Sequence, residues 1–396
     1  MNLIYEAAVE SCCGIYYLLG SEISAVSGYF AHLRSLMNPL VNFSFFPKIT
    51  NRRLKQLADY FSDYSQIGAA EFSDLVQAGW EDGVAHEFVS WRENFPAEKA
   101  AVILEQEGIW PVSIDEPAYP VLLKQISDPP YTIFVRGTLP DESCPSLGVV
   151  GTRRISPYGA AACAAIVPPL AKSGMIIVSG LALGLDGLAH EETLKVGGIT
   201  VAVLGGGIDR NTLYPASHRS LSERIIASGG AIVSEYPPGF KPTPYTFPAR
   251  NRIIAGLTLG TLVIEAPEGS GALITARMAL DYNREVLAVP HPIGVINGEG
   301  NNRLIKQGAR LVSEASDVLE TLNIAIVFEK RPNEAIQSEL PPDQSAIYQI
   351  LSSEAKTIDR IAADSGRPGN EVSSALSMLE IKGLAKGIGN ASYIKV

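Results

Sequence analysis

The sequence predicts an α/β protein built on a doubly wound, mostly parallel sheet, with a helical N-terminal domain before it and a C-terminal winged-helix domain after it. Three observations carry that reading. Between residues 147 and 289, continuous β-branched and apolar runs alternate with helical patterns. Four glycine-bearing turns of that region each follow a run, at the carboxyl end of a predicted strand. The last fifty residues read as helix, helix, turn, helix and β-hairpin. Continuous apolar runs belong to strands buried on both faces, and strands separated by single helices pair in parallel.

The predicted strands are Leu147–Gly151, Met175–Ser179, Thr200–Leu204, Ala231–Ser234, Thr261–Ile264 and Glu285–Val289. The intervening helices are predicted at Tyr158–Lys172, Leu185–Lys195, Ser217–Ala227 and Ala272–Tyr282. Tyr131–Gly137 is expected as an edge strand ahead of them. Residues 1–109 read as helical. Within them Phe46–Phe61 resembles the entry of a helix-hairpin-helix or SAM-like module, with Thr50 and Asn51 where the hairpin glycine would stand; an amphipathic packing helix is the alternative. The N-terminal stretch MNLIYEAAVESCCGIYYLLG lacks a basic start and is interrupted by Glu6 and Glu10, so it reads as a helix rather than a signal peptide. Residues 329–345 are charged, carry Pro332, Pro341 and Pro342, and mark a linker. The expected domains are therefore 1–109, 110–328 and 346–396, joined by the 329–345 linker.

The chain has 396 residues and a formal charge of −10. Residues 1–147 hold 9 Lys+Arg against 19 Asp+Glu, residues 148–320 hold 15 against 14, and residues 321–396 hold 8 against 9. The acid excess thus lies in the first third, which leaves room for a local anion site in the middle third. The four cysteines, Cys12, Cys13, Cys144 and Cys163, have no C-x-x-C spacing, which speaks against structural zinc and a disulfide framework and for a reducing cytoplasm. No apolar run reaches membrane-spanning length, so no membrane association is expected.

The chemistry concentrates at the carboxyl ends of the predicted strands, where open α/β sheets bind ligands. Gly151-Thr152-Arg153 follows the first, offering backbone donors, a hydroxyl and a guanidinium. Ser179-Gly180 follows the second, with Asp186 at a helix N-cap position and His190 one turn on, where a hydrogen bond between the two is expected. Gly205 and Gly206 belong to a triple glycine after the third. Arg250, Asn251 and Arg252 cluster at what reads as a helix start before the fifth. Gly269, Ser270 and Gly271 open the helix after it. Helix starts and planar guanidiniums both suit phosphate oxygens, so the set points to an anionic ligand with more than one phosphate. The alternative to each, taken singly, is an ordinary βα turn or a solvated arginine. The sequence has no P-loop lysine, no G-x-S-x-G, no H-E-x-x-H and only five scattered histidines. A binding protein without catalytic residues, metal or cofactor is therefore expected.

Read together, Gly151-Thr152-Arg153, SGLALGLDGLAH (179–190), VLGGGID with Tyr214-Pro215, SEYPPG (234–239), FPARNRIIAG (247–256), VIEAPEGSGALITA (263–276), VLAVP (286–290) and GNNRLIKQGA (300–309) resemble the DNA-processing protein A (DprA/Smf) family. The resemblance spans about residues 110–322, in the family's order. It implies an extended Rossmann domain that binds single-stranded DNA in a positive pocket, and a homodimer that delivers the strand to the RecA recombinase in natural transformation and recombination. It implies that Arg153, Arg250, Asn251 and Arg252 contact phosphates, with Ser179, Gly180 and Gly269–Gly271 as donors. Three positions depart from the family pattern: Leu183 stands where an arginine is usual, His291 where a glycine follows the VLAVP proline, and Gly298 where a serine is usual. The enzymatic alternative is a nucleotide phosphoribohydrolase of a related Rossmann-like superfamily, with Glu265 and Glu268 as its acids. A plain dinucleotide-binding module is a third reading, disfavoured by the glycine placement.

Overall fold

A computed structural model describes residues 38–61, 64–324, 341–352, 356–381, 384–387 and 391–395. The expected N-terminal helix, Cys12, Cys13 and residues 329–340 of the linker lie outside the described residues. Two compact units divide the chain, Met1–Ala325 and Ile326–Val396.

The first unit is organised on a nine-stranded sheet. Its strands are β1 (Trp110–Ser113), β2 (Thr132–Gly137), β3 (Ser146–Val150), β4 (Ile176–Ser179), β5 (Thr200–Leu204), β6 (Ala231–Ser234), β7 (Gly260–Val263), β8 (Glu285–Ala288) and β9 (Arg310–Leu311), in the order β1-β2-β6-β5-β4-β3-β7-β8-β9. From β6 across to β9 every pairing is parallel, while β1–β2 and β2–β6 are antiparallel. The chain winds outward from β3 through β4, β5 and β6, then returns to lay β7 on the other side of β3. That reversal makes the crevice between β3 and β7 the topological switch point, where such sheets bind ligands.

The runs read as strands are buried on both faces: every residue of β3, β4, β5, β6 and β7 is buried. Helices Pro157–Lys172 and Leu185–Lys195 cover one face, packing Cys163, Ile166, Leu170 and Leu185 onto Leu147, Val149 and Ile177. Helices Thr246–Gly256 and Gly271–Asp281 flank the switch point. The expected edge strand is corrected in one respect: β2 is not the edge, because β1 covers it with Trp110 opposite Val135 and Ser113 opposite Thr132. A four-residue strand containing Pro111 carries too little pattern to announce itself.

The described part of the N-terminal region is helical, with Asn51–Tyr60, Asp82–Asn94 and Ala97–Glu107 as its longest helices. Thr50 caps the first, its hydroxyl accepting from Arg53 N–H at 3.2 Å. Phe43, Phe46 and Trp80 meet Phe88 edge-to-face, Trp91 joins this cluster at a tilt to Phe46, and these helices share one core with Tyr119, Leu123 and Ile126, between β1 and β2.

The second unit is a winged helix. Helices Pro342–Ile350, Ile358–Ser365 and Gly369–Ile381 pack around Ile347, Ile361, Val372, Leu376 and Leu379, beside a three-stranded sheet of β10 (Lys356–Thr357), β12 (Ser392–Lys395) and β11 (Ala385–Gly387). Glu380 on the third helix accepts from Gly387 N–H at 3.0 Å, tying that helix to the wing.

Candidate functional site

A cavity of about 600 Å³ opens at the switch point. Its walls come from the β3 turn (Gly151, Thr152, Arg153), the helix Thr246–Gly256 with its approach (Pro244, Phe247, Pro248, Arg250, Asn251, Ile254) and the start of helix Gly271–Asp281 (Pro267 to Ala272, with Thr275). A narrower extension adds Gly180, Leu183, Gly205, Tyr214 and Pro215, and shares Arg153, Ala182, Phe247 and Arg250 with the main cavity.

The β3 turn is held by its own groups. Thr152 N–H donates to the Glu265 carbonyl at 2.7 Å, its carbonyl accepts from Leu185 N–H at 3.1 Å, and its hydroxyl accepts from Arg154 N–H at 3.2 Å. Only glycine fits at 151, since a Cβ there would meet the Leu185 side chain and come within 2.9 Å of the Glu265 carbonyl. With the turn fixed, Arg153 is left exposed, its guanidinium 5.4 Å over the Phe247 ring. Across the cavity Ser270 caps its helix, the hydroxyl accepting from Ala272 N–H at 3.3 Å, and Gly269 holds a positive φ of 76° in the approach. An eleven-residue helix starting at the cavity wall presents the positive end of its dipole there.

The Arg250–Asn251–Arg252 cluster divides. It sits in the second turn of its helix, not at a start on the surface, and all three residues are buried. Arg250 forms part of the cavity wall, but its donors are engaged: Nη1 bonds the carbonyls of Gly180 (2.6 Å) and Val203, and Nε bonds Asn251 Oδ1 at 3.2 Å. Burial lowers its pKa to about 10, against the stabilising charge of Asp186. Asn251 Nδ2 donates to the Gly271 carbonyl at 3.2 Å, joining the two helices that flank the cavity. Arg252 lies outside the cavity wall. It forks onto Glu235 at 2.6 and 2.9 Å and reaches Asp128 at 3.2 Å. Burial acts to lower its pKa, and the carboxylates of Glu235 and Asp128 outweigh burial and raise it.

Other expected donors are similarly placed. Ser179 is fully buried and donates to the Val149 carbonyl at 2.6 Å, away from the cavity. Gly206 packs on Pro242 and lines neither cavity. Asp186 is not the N-cap of its helix, a position held by Gly184; its buried carboxylate faces the N–H groups of Ala182, Gly151 and Gly180 and lies beside Arg250. Burial pushes its pKa above the usual carboxylate value, opposed by Arg250 and those N–H groups. His190 does not bond Asp186. Its Nδ1 pairs with the Thr200 hydroxyl at 2.7 Å, and burial depresses its pKa to about 3.

The two carboxylates of the enzymatic alternative do not meet in the cavity. Glu265 accepts from Ser156 N–H at 2.8 Å and from its hydroxyl at 2.5 Å, outside the cavity wall. Glu268 lines the cavity and pairs with Arg303 at 3.2 Å. Sequence reasoning passed over Phe247 and Asp186 as parts of the wall. Phe247 stood in the quoted FPARN motif, whereas nothing local to Asp186 says that its side chain turns back onto two strand ends.

Comparison with known proteins identifies the family. The family model described as DNA recombination-mediator protein A matches residues 110–323, and that of the DprA winged helix domain matches residues 331–387. The chain belongs to the DprA/Smf family. Among its DprA/Smf relatives, Protein Smf of Escherichia coli K12 is 38% identical over 335 residues, covering 83% of this chain and 87% of that protein. The DNA processing protein DprA of Bacillus subtilis is 39% identical over 219 residues, covering 55% and 72%. The crystal structure of DprA from Streptococcus pneumoniae matches with a TM-score of 0.59 at 32% identity, over 73% of this chain and 96% of that one.

Proposed function

We propose that this DprA/Smf protein binds single-stranded DNA in the switch-point cavity and passes the strand to a RecA recombinase, acting as a cytoplasmic homodimer without catalytic activity. We propose domain limits of 1–109, 110–328 and 346–396, with 329–345 as the linker. The observation that carries the reading is the exposed Arg153 guanidinium facing the start of helix Gly271–Asp281 across a cavity at the carboxyl ends of β3 and β7. A cation and a helix N-terminus lining one cavity suit a run of phosphates, and such a site serves one flexible strand, whose backbone can follow it, better than a stiff duplex. That relatives are named DNA processing proteins supports the same class of ligand.

The residues we assign to the phosphates are a narrower set. Arg153 and the Gly269–Gly271 turn are the primary contacts; Gly151, Thr152, Asn251 and Arg250 shape the wall behind them; Gly180 and Gly205 line its extension. Ser179, Gly206 and Arg252 support from outside.

The test is fluorescence anisotropy of a labelled dT oligonucleotide and its duplex, for wild type and Arg153→Ala, across a salt series. Wild type is expected to prefer the single strand. Arg153→Ala is expected to lose about 1.5–3 kcal/mol of binding, the range for a hydrogen bond to a charged group. Its salt slope should shrink by about 0.7, one phosphate's share on a single strand. Equal affinity for duplex, or an unchanged salt slope in the variant, overturns the reading. Whether the strand is passed on is read by RecA filament growth on oligonucleotide covered with single-strand-binding protein, with and without this chain.

A further inference from the structure

In dinucleotide-binding sheets the crevice at the switch point receives a pyrophosphate, held by backbone N–H groups of the strand-to-helix turns. Here that position is already filled. Asp186 is buried in the cavity wall, and three of those N–H groups, from Gly151, Gly180 and Ala182, face its carboxylate. Gly151 and Gly180 stand at the carboxyl ends of the neighbouring strands β3 and β4. The nearby cation is equally internal: Arg250, buried, bonded to the Gly180 and Val203 carbonyls, with the Asp186 charge helping to keep it protonated. The packing is tight enough that a Cβ at Gly180 would come within 2.5 Å of both the Arg250 guanidinium and Asp186 Oδ2.

We infer that Asp186 is a specificity-determining residue, an internal anion that occupies the nucleotide-phosphate position of the fold. It satisfies the turn N–H groups and Arg250 from within, and so refuses free nucleotides and pyrophosphate. Strand phosphates are thereby kept to the outer rim, at Arg153 and the Gly269–Gly271 turn. The inference rests on the DNA-binding reading for what occupies the rim, but its core concerns an anion position inside the protein, which stability measurements report without DNA.

The test deletes the carboxylate and offers a replacement. Asp186→Ala leaves an unpaired Arg250 and an open set of N–H groups, so the variant should melt well below wild type. Sodium formate or inorganic phosphate should then raise its melting temperature progressively, as a ligand that binds only the folded state does. Sodium chloride at matched ionic strength should not reproduce that rise. Wild type and Asp186→Asn, in which the side chain still fills the position, should gain markedly less from either anion than Asp186→Ala does, any phosphate held at the Arg153 rim being common to all three. If folded Asp186→Ala gains nothing from formate or phosphate beyond the chloride control, the inference fails. If that variant does not fold, the wild-type protein decides. Pyrophosphate and ADP should displace labelled dT from it no better than chloride of equal ionic strength, and specific displacement would overturn the inference. Absence of dT binding by wild type would instead defeat the DNA-binding reading, while anion rescue of Asp186→Ala would still stand.

Discussion

Arg252→Ala separates a cation that holds the fold from one that holds a ligand. The Arg252 side chain is 6% exposed and its fork meets both oxygens of Glu235, whose own side chain is 15% exposed. Removing the arginine leaves that carboxylate buried and unpaired, and breaking a buried pair from one side costs about 3–5 kcal/mol. The third contact, to Asp128, adds at most about 1 kcal/mol, because that carboxylate is half exposed and screened. Glu235 keeps a little access to water, so the lower end, about 3 kcal/mol, is expected. Urea unfolding followed by tryptophan fluorescence measures it cleanly, since all three tryptophans, Trp80, Trp91 and Trp110, lie in the first unit. The midpoint should fall with the slope unchanged, while dT anisotropy under native conditions stays near wild type. Replacing both partners, Arg252→Met with Glu235→Leu, should recover much of the loss, because no charge is then stranded. Wild-type stability combined with collapsed DNA binding in Arg252→Ala would refute the argument and return Arg252 to the phosphates.

Three further outcomes are expected. Leu183, 47% exposed in the extension of the cavity, replaced by Arg should tighten dT binding and steepen its salt slope by about 0.7; an unchanged slope would mean the strand does not pass that wall. His190, held neutral by burial with a pKa of about 3 against 6.5 when unfolded, makes stability pH-dependent in that window. The unfolded chain binds the proton first, so stability is full above pH 6.5 and falls by up to about 1.4 kcal/mol per unit as pH drops towards 3. Melting curves of His190→Gln should show a shallower acid slope than wild type, and an identical slope would discount His190. Gly298→Ser should cost about 1–3 kcal/mol by overpacking, since a side chain at 298 would run into the His291 ring; adding His291→Gly should restore stability, and a null effect of the single change would show the two departures to be independent.

The sheet was legible because strands buried on both faces write themselves as unbroken apolar runs, and β3 to β8 fall within a residue or two of the predicted segments. The strands that escaped are short: β1 carries Pro111, and β9 is the exposed pair Arg310–Leu311. The turns at the strand ends were legible as well, and Gly151, Thr152, Arg153 and Gly269–Gly271 do converge on one cavity. The use of each polar group was not. Ser179, Arg250 and Arg252 find their partners at Val149, Val203 and Glu235, brought close only by the finished sheet. A local pattern identifies a donor, whereas its acceptor is a property of the topology.

One constraint on that assignment was nevertheless written in the spacing. Arg250 and Arg252 are two residues apart on one helix, so at about 100° per residue their side chains leave on nearly opposite sides. A single cavity cannot receive both. The structure turns Arg250 towards the switch point and Arg252 towards Glu235 and Asp128. Because Arg250 is in turn matched by Asp186, the motif's two positive charges are largely answered within the protein. On the proposed reading, binding strength at the cavity would rest on Arg153, the exposed cation in its wall, and on the adjoining helix start. A chain of formal charge −10 is therefore compatible with the local anion site proposed above. The arginines that look most like ligands in the sequence instead fix the geometry that leaves Arg153 free.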